Sequence, residues 1–317
     1  MMLDLRRLRL LHELHRRGTV SAVAEALSYS PSTVSQQLGV LQREAGTTLF
    51  EPAGRRVRLT DAALVLVAHA EQLLAGAERA EADLAAAAAG AVAGVVHVGS
   101  FQTASLHLLL PAMTALASDH PGVELRLVEA EPEQALEALR SHALDLVLAD
   151  EWSGAPRARL PGLDRQDLFA EPVRIALPGS HPAAAAGGPV PLAELAGAAW
   201  AAGDPGGGMA ELTRRLCNGH GGFEPHIRHH TNELTMLLAL VAHGQAVTLL
   251  PELALAGGIA GVAVRAVAGA DLTRTVFTAA RTGSDRRPAL AAARDALGAA
   301  ADLRPGSRSS RRGGHGT

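Results

Sequence analysis

The sequence predicts an α/β protein in three parts: a small helical N-terminal domain, one long helix, and a larger body of two α/β lobes. Three observations support this division. Two short helical segments joined by a tight turn lie near the N-terminus, an alanine-rich stretch almost free of glycine and proline spans residues 60–89, and strands alternate with helices from residue 92 onward. With 317 residues, 48% of them hydrophobic, the chain can form two or three domains with buried cores.

Charge is distributed unevenly along the chain. Residues 1–58 carry nine arginines against five acidic residues, so this part has a charge of +4 and the remainder of the −3 chain has −7. A basic module on an acidic body is typical of a nucleic-acid-binding domain attached to a domain of another kind. The single cysteine excludes an intramolecular disulfide, and the N-terminus lacks the apolar segment of a signal peptide. These features favour a cytoplasmic protein.

Residues 18–46 have the pattern of two helices joined by a three-residue turn. Ser30 can accept a hydrogen bond from a free backbone N–H, Pro31 suits the first helical position, and Gly46 marks the helix end. Apolar residues then share one stripe of the second helix, which leaves a polar face able to enter a major groove. The residues predicted to contact DNA from this helix are Ser30, Ser32, Thr33, Ser35, Gln36 and Arg43.

A helix over residues 4–17 precedes this pair, with leucines inward and arginines outward. Beyond the pair, residues 54–59 predict a tight turn with short β arms, which we call the wing. Arg55, Arg56 and Arg58 lie on the wing, where guanidinium groups suit phosphate oxygens or a narrow minor groove. The N-terminal domain, residues 1–59, is therefore predicted to be a DNA-binding winged helix-turn-helix.

The long helix is assigned to a linker, residues 60–91. Leu66, Leu73, Ala77, Ala80 and Leu84 recur at three-, four- and seven-residue spacing, so an apolar seam runs along one side. We interpret this seam as a dimerisation surface. The alternative is a surface helix packed on the body.

Residues 92–303 alternate between strands and helices, which predicts a parallel sheet with helices on both faces. The expected lobes are residues 92–164 with 268–303, and residues 165–267, with crossings near 163–172 and 262–268. The tail, residues 304–317, is polar, basic and glycine-rich, and is expected to be disordered.

In this order, the elements resemble those of LysR-type transcriptional regulators, from residue 2 to about residue 303. The resemblance rests on Ala24-Glu25-Ala26-Leu27 and Leu49-Phe50 in the N-terminal domain and on "LDLVLAD", "EPVRIALPGSHP" and "LVAHGQAVTLLPE" in the body. It implies a homodimer or homotetramer that binds double-stranded promoter DNA and contacts RNA polymerase. It also implies a body resembling type 2 periplasmic binding proteins, with a small-molecule effector between its lobes.

The second helix of the helix-turn-helix pair departs from the family pattern at Pro31-Ser32 and at Gln36. Where the family often has arginine after the serine, this chain has Gln36. Glutamine pairs best with adenine and arginine with guanine, so the base preference is expected to differ from that of a typical member.

Ligands of open α/β sheets lie at the carboxyl ends of strands and between lobes. The candidate effector-binding residues at such positions are Ser100, Gln102, Thr103, Glu129, Asp150, Trp152, Gly203, Asp204, Asn232 and Thr248. Free N–H groups after Ser100 favour an organic acid, whereas Glu129 and Asp150 favour a positive charge, as in an amino-acid-like metabolite. The charge of the effector stays open, and each residue is equally compatible with a plain turn or cap role.

Other constellations point less clearly to chemistry. His220, His226, His229 and His230 suggest a metal site, but strand alternation sends the last two to opposite faces, so no metal or cofactor is predicted. Cys217 near His220 lacks an orienting acid, and no paired carboxylate or serine triad is evident. The chain is therefore not expected to be an enzyme. The competing class is a two-lobed solute-binding or enzyme domain with an added helical segment.

Overall fold

The computed structural model describes residues 3–53, 56–87, 90–153, 157, 161–255 and 259–304. The N-terminal domain consists of α1 (Leu5–Arg17), α2 (Val20–Ala26), α3 (Pro31–Ala45), β1 (Phe50–Ala53) and β2 (Arg56–Leu59). Asp4 caps α1 and Ser30 caps α3, each by accepting a hydrogen bond from a backbone N–H of the first turn. Gly46 ends α3 in the left-handed conformation, at φ +65°.

The core of this domain is built from apolar residues at helical spacing. Leu8, Leu11 and Leu14 of α1 pack against Val34 and Leu41 of α3. The wing closes as an antiparallel pair of β1 and β2. Residues from the next helix also enter this core, so the N-terminal domain and the linker are packed as one unit: Ala63, Val67 and Ala70.

The linker helix α4 (Asp61–Ala87) has 27 residues and is about 40 Å long. Of the predicted seam, Leu66 packs on the N-terminal core, whereas Leu73, Ala80 and Leu84 are exposed. The middle of α4 also touches the body, where Glu78 accepts a hydrogen bond of 2.8 Å from Arg281. The linker helix therefore has features of both interpretations: part of its apolar seam is exposed, and its middle packs on the body.

The described strands of the body are β3 (Ala93–Ser100), β4 (Gly122–Glu129), β5 (Leu146–Trp152), β6 (Leu163–Pro178), β7 (Ala199–Ala202), β8 (His226–His230), β9 (Thr248–Pro251), β10 (Val262–Arg265) and β11 (Thr273–Arg281). Seven of them form the main sheet in the order β10-β6-β11-β5-β3-β4, with β9 beside β6. The other two, β7 and β8, form a separate parallel pair.

Helices cover this sheet on both faces. They are α5 (Gln102–Ala104), α6 (Leu110–Asp119), α7 (Pro132–Arg140), α8 (Pro182–Ala185), α9 (Gly208–Leu216), α10 (Leu234–Ala242) and α11 (Pro288–Leu303). A π-helical turn, Ser105–Leu109, joins α5 to α6. No helix within these described ranges is long and apolar enough to cross a bilayer.

The sheet is mixed, and the expectation of a wholly parallel sheet was wrong. Strand β3 is parallel to β4 and β5, but β11 is antiparallel to β5 and β6. Strands that return without a helical crossover are antiparallel. The predicted two-lobed α/β body is confirmed, each lobe having its own buried core, one with Leu108 and Leu146 and the other around the fully buried Trp200.

Strand β6 runs through both lobes. Its first part, up to Pro172, pairs with β11, and its second part, from Val173, pairs with β9 and β10. The segment 163–172, expected as a crossing, is therefore extended strand. Its 16 residues make it the longest strand described.

A glycine of the body lies against the linker helix. Gly283 has φ +97°, and a Cβ there would lie 2.5 Å from the backbone oxygen of Ala75 in α4. We therefore expect Gly283→Ala to lower the free energy of unfolding by about 1 to 3 kcal/mol, as measured by urea denaturation.

The matched control is Gly298→Ala, because Gly298 lies in α11 with no neighbouring atom within 4 Å of an added Cβ. This substitution should raise stability by about 0.5 to 1 kcal/mol through helix propensity. Equal effects at the two positions would show that α4 does not pack closely on Gly283 in solution.

Candidate functional site

The polar face of α3 is open to solvent. Every predicted DNA-contacting residue of this helix is exposed: Ser30, Ser32, Thr33, Ser35, Gln36 and Arg43. The Ser30 hydroxyl lies 2.8 Å from that of Ser32 and 2.7 Å from that of Thr33, so the first turn presents a group of hydroxyls. Hydroxyl groups and exposed helix N-termini are common donors to phosphate oxygens.

Other polar residues of α3 are occupied within the domain. Arg7 of α1 donates to the Gln37 side chain at 2.9 Å and pairs with Glu44, and Gln42 accepts hydrogen bonds from the backbone N–H groups of Leu49 and Phe50. The amide of Gln36, by contrast, has no partner among the described residues. Gln36 is therefore free to meet another molecule.

The wing contributes Arg58, which is exposed and pairs with Glu51. Such an exposed ion pair contributes little to stability, so a phosphate can replace Glu51 at low cost. Arg55 lies outside the described residues, as does the side chain of Arg56. The predictions for these two residues and for residues 305–317 of the tail therefore fall outside the described part of the chain.

A cavity of about 270 Å³ opens between the two lobes of the body. Seven of the sequence-predicted effector residues line it: Gln102, Thr103, Asp150, Trp152, Gly203, Asp204 and Asn232. They lie at or just after the carboxyl ends of β3 and β5 in the first lobe and of β7 and β8 in the second, as expected for a site at the carboxyl ends of strands.

Three predicted residues lie elsewhere. Ser100 and Thr248 are fully buried and do not line the cavity, and the hydroxyl of Ser100 donates to the Phe101 carbonyl oxygen. Glu129, at the end of edge strand β4, is exposed to solvent outside the cavity. Alternate residues of a strand point to opposite faces, so a strand-end position alone does not decide which residue faces a ligand.

The cavity also contains charged residues that sequence reasoning missed. Glu131, Glu133 and Gln134 surround the first turn of α7, while Arg157 follows β5 and Arg274 begins β11. Arg274 had a signal in the sequence, because it is a charged residue next to the predicted strand run Val276-Phe277. The signal for the acidic residues around Pro132 was their position at the start of a predicted helix.

Arg274 is a buried cation whose charge is used within the protein. Its side chain is 3% exposed, and its Nε and Nη2 donate to Glu171 at 2.9 and 2.5 Å. Its guanidinium carbon lies 5.2 Å from the ring centre of Phe101 and 5.6 Å from that of Trp152. Its Nη1 lies 3.6 Å from Asp150. The charge of this guanidinium group is thus matched within the protein by Glu171 and Asp150.

The carboxylates of the cavity are held in different ways. Burial raises the pKa of Asp150, and Arg274 and Arg157 oppose this shift. Arg157 donates to Glu133 at 2.8 Å and to Asp150 at 3.4 Å. Partial desolvation, with the charges of Asp150, Glu133 and Asp204, raises the pKa of Glu131 to about 7, although this side chain keeps contact with water.

Two polar bridges shape the cavity walls. Gln102, from the first lobe, donates to Glu233 at 2.9 Å and accepts from the backbone N–H of Leu234 at 3.1 Å, both in the second lobe. Asn232 donates to the Asp204 carboxylate at 2.9 Å and accepts from the Asp204 backbone N–H at 3.1 Å. Gln102 therefore ties the two lobes together at the edge of the cavity.

The histidine and cysteine residues of the segment 217–230 lie outside the cavity. Within the described ranges, no group of three or more histidine, cysteine, aspartate or glutamate residues is arranged to hold a metal. His229 is partly buried and His230 exposed on strand β8. Burial and the charge of Glu224 raise the pKa of the Cys217 thiol to about 12, so this thiol is protonated at neutral pH.

Comparison with known proteins assigns both parts of the chain. Residues 89–302 match the LysR substrate binding domain, and residues 5–64 match the bacterial regulatory helix-turn-helix protein, lysR family. The DNA-binding transcriptional dual regulator OxyR of Escherichia coli (strain K12) is 30% identical over 254 residues, covering 80% of each chain. The transcriptional dual regulator GltC of Bacillus subtilis (strain 168) is 28% identical, covering 79% of this chain and 81% of its own.

Solved structures share the fold. A full-length OxyR variant from Pseudomonas aeruginosa superposes with a TM-score of 0.60 at 22% identity, covering 97% of this chain and all of its own. CbnR in complex with its target DNA gives a TM-score of 0.53 at 22% identity, covering 94% of this chain and all of its own. The chain therefore belongs to the LysR family of DNA-binding transcriptional regulators, in which a substrate-binding domain takes a small-molecule effector.

Proposed function

We propose that this regulator reads promoter DNA with the exposed face of α3 and the wing, and that a small molecule in the cavity between the lobes controls it. The observation that carries the DNA contact is the uncovered polar face of α3, on which Ser32, Gln36 and Arg43 are exposed while the apolar stripe is buried. The family membership of the N-terminal domain supports the same assignment.

We assign the effector to the cavity because its walls come from both lobes. A ligand that contacts both walls binds one relative position of the lobes better than others, and it shifts their equilibrium toward that position. The Gln102 bridge to Glu233 and Leu234 lies where such a shift would act. The proposed result is a changed angle between DNA-binding domains, with altered DNA bending or RNA polymerase contact in the cytoplasm.

Two functions receive less support. Relatives are named as hydrogen peroxide-inducible genes activators, but the one cysteine of this chain, Cys217, is buried and its pKa is raised to about 12. Reactive thiols have lowered pKa values and are accessible, so we propose that the effector is not an oxidant of this thiol. The relatives are regulators, and we propose no enzymatic activity for this chain either.

The test of DNA reading is binding of the purified protein to the intergenic DNA upstream of its own gene. Affinity should exceed that for unrelated DNA of the same length and should fall with salt, because phosphate contacts release counterions. Equal affinity for the two fragments over a range of salt would refute the regulator assignment.

Gln36→Ala is expected to change base preference rather than general affinity. Loss of a bidentate base contact should reduce discrimination at one base pair by about 1 to 3 kcal/mol, measured by binding to a library of single-base operator variants. The matched control is Gln37→Ala, whose amide is already bound by Arg7. An unchanged preference in Gln36→Ala would place the base-reading face elsewhere on α3.

The exposed seam of α4 is expected to hold a homodimer. Leu73 is 47% and Leu84 is 71% exposed, and their eleven-residue spacing puts them on one face. Burial of each leucine is worth about 1.5 to 3 kcal/mol, so Leu73→Glu with Leu84→Glu should raise the dimer dissociation constant at least about a hundredfold in sedimentation experiments. Leu303→Glu, at a leucine of α11 that is 83% exposed, is the control. A dimer of unchanged affinity would exclude the seam.

A further inference from the structure

The two cationic side chains of the cavity are already matched by carboxylates. Arg274 binds Glu171 through two nitrogen atoms and approaches Asp150, and Arg157 binds Glu133 and Asp150. Both guanidinium groups are thus satisfied by the protein. Neither offers an unused charge to a ligand that enters between the lobes.

Glu131 and Asp204 line the same cavity, and neither carboxylate is paired with a cationic side chain of the described residues. In the described part of the chain, the Glu131 carboxylate has neither a hydrogen-bond partner nor an ion-pair partner. Among the described residues, the Asp204 carboxylate accepts a hydrogen bond only from the neutral amide of Asn232. Both carboxylates line the one cavity, and the charge of Asp204 is one of those that raise the pKa of Glu131.

Among the described residues that line it, the cavity therefore carries an excess of negative charge. Within that part of the wall, four carboxylates stand against two guanidinium groups: Glu131, Glu133, Asp150 and Asp204 against Arg157 and Arg274. A concave site with low-dielectric walls focuses such a potential and raises the local concentration of cations. Apolar walls from Trp152, Met209 and Leu237 complete the enclosure.

We propose that the effector carries a protonated amine, with its ammonium group between Glu131 and Asp204 and its carbon skeleton against Trp152 and Met209. This proposal rests on the assignment of the effector to the cavity. The enclosed volume of about 270 Å³ requires a small ligand. The shared chemistry is the ammonium group, which simple amines and amino acids both provide.

The pH dependence of binding follows from the groups around Glu131. The charges of Asp150, Glu133 and Asp204 in the cavity and of Glu129 outside it act on this carboxylate. Its pKa is about 7, so it takes up a proton as the pH falls through 7, and the ammonium group then loses a partner. Amine affinity should therefore fall between about pH 8 and about pH 6.

The sign of the charge can be tested without a ligand by substitutions at Gln134. This residue lines the cavity in the first turn of α7, where the helix dipole alone favours a negative side chain. The excess carboxylates predict the reverse order, with Gln134→Lys melting at a higher temperature than Gln134→Glu. Gln245 is exposed and does not line the cavity, so Gln245→Lys and Gln245→Glu should have the same melting temperature. Higher stability of Gln134→Glu would overturn the proposal.

Ligand probes complete the test by titration calorimetry on the full chain. 1,4-Diaminobutane and 1,5-diaminopentane represent simple amines, lysine and ornithine represent amino acids, and succinate and glutarate are the carboxylate counterparts. We expect an amine-bearing probe to bind about tenfold more tightly than the dicarboxylates, and Glu131→Gln with Asp204→Asn to remove that margin. Glu194→Gln, an exposed residue outside the cavity, should leave it unchanged.

The outcomes separate this proposal from the one on which it rests. Tighter binding of the dicarboxylates overturns the amine but leaves the effector cavity in place. Failure of every probe overturns the amine class, and the upstream-DNA experiment on the same samples decides the regulator function independently. Preference for amino acids over diamines identifies the zwitterion as the source of the ammonium group.

A second set of contacts joins the N-terminal domain to α7. Glu137 of α7 accepts a hydrogen bond of 2.8 Å from Arg16 of α1 and also pairs with Arg17. The same two arginines hold the buried Glu13 at 2.9 and 2.7 Å. Arg9 reaches the backbone oxygen of Ser141, one residue beyond the end of α7.

The other end of α7 lies in the cavity, where Pro132, Glu133 and Gln134 form part of the wall. With nine residues, α7 is only about 13 Å long, so one short helix touches both the cavity and the DNA-binding domain. We infer that α7 couples occupancy of the cavity to the position of the DNA-binding domain through Glu137. Rigid elements with contacts at both ends are the physical means of such coupling.

Amide hydrogen exchange on the full chain tests this coupling, with a large side chain introduced at Gln134 in place of a ligand. Gln134→Trp fills the cavity from α7, and it should change amide exchange at the end of α1 about fivefold or more. In a Glu137→Ala background, Gln134→Trp should leave amide exchange in α1 the same as in Glu137→Ala alone. Gln245→Trp is the control outside the cavity. An unchanged α1 in Gln134→Trp, or an effect that persists in the double variant, would overturn the coupling.

Discussion

The body depends on the buried contact between Arg274 and Glu171. Arg274 lies on β11 and Glu171 on β6, and the other oxygen of Glu171 accepts a hydrogen bond of 2.6 Å from the backbone N–H of Leu253, whose side chain packs in the core of the first lobe. A buried charge is costly unless it is paired and hydrogen-bonded, and here both conditions are met. The same contact holds the guanidinium between Phe101 and Trp152 and so fixes the cavity wall.

Local sequence signals were sufficient to predict the helices of the N-terminal domain. The bounds of α3 follow from Ser30, Pro31 and Gly46, since a capping hydroxyl, a fixed φ and a left-handed glycine each act within one turn. The length of β6 could not be obtained in this way. Its first half is polar and reads as a connection, and it is extended because it pairs with β11, about a hundred residues later.

The candidate site shows the same division. Gln102, Asp150 and Asp204 were found because the ends of strands and the starts of helices converge on one edge of a sheet. The charge balance of the cavity was not accessible from sequence. It depends on which carboxylate each arginine binds, and the partners of Arg274 are separated from it by 103 and 124 residues.

Strand β6 limits how the two lobes can move. Because its backbone continues from β11 in one lobe to β9 and β10 in the other, sliding of one lobe past the other would break several ladders of hydrogen bonds at once. Twisting about the strand near Pro172 and Val173, where its partners change, keeps the ladders within each lobe but strains the hydrogen bond from the Val173 N–H to the Leu272 oxygen and the Gln102 bridge between the lobes. The lobes can therefore rotate relative to each other about β6 more easily than they can slide. A bound ligand would select the rotation angle at which both cavity walls contact it.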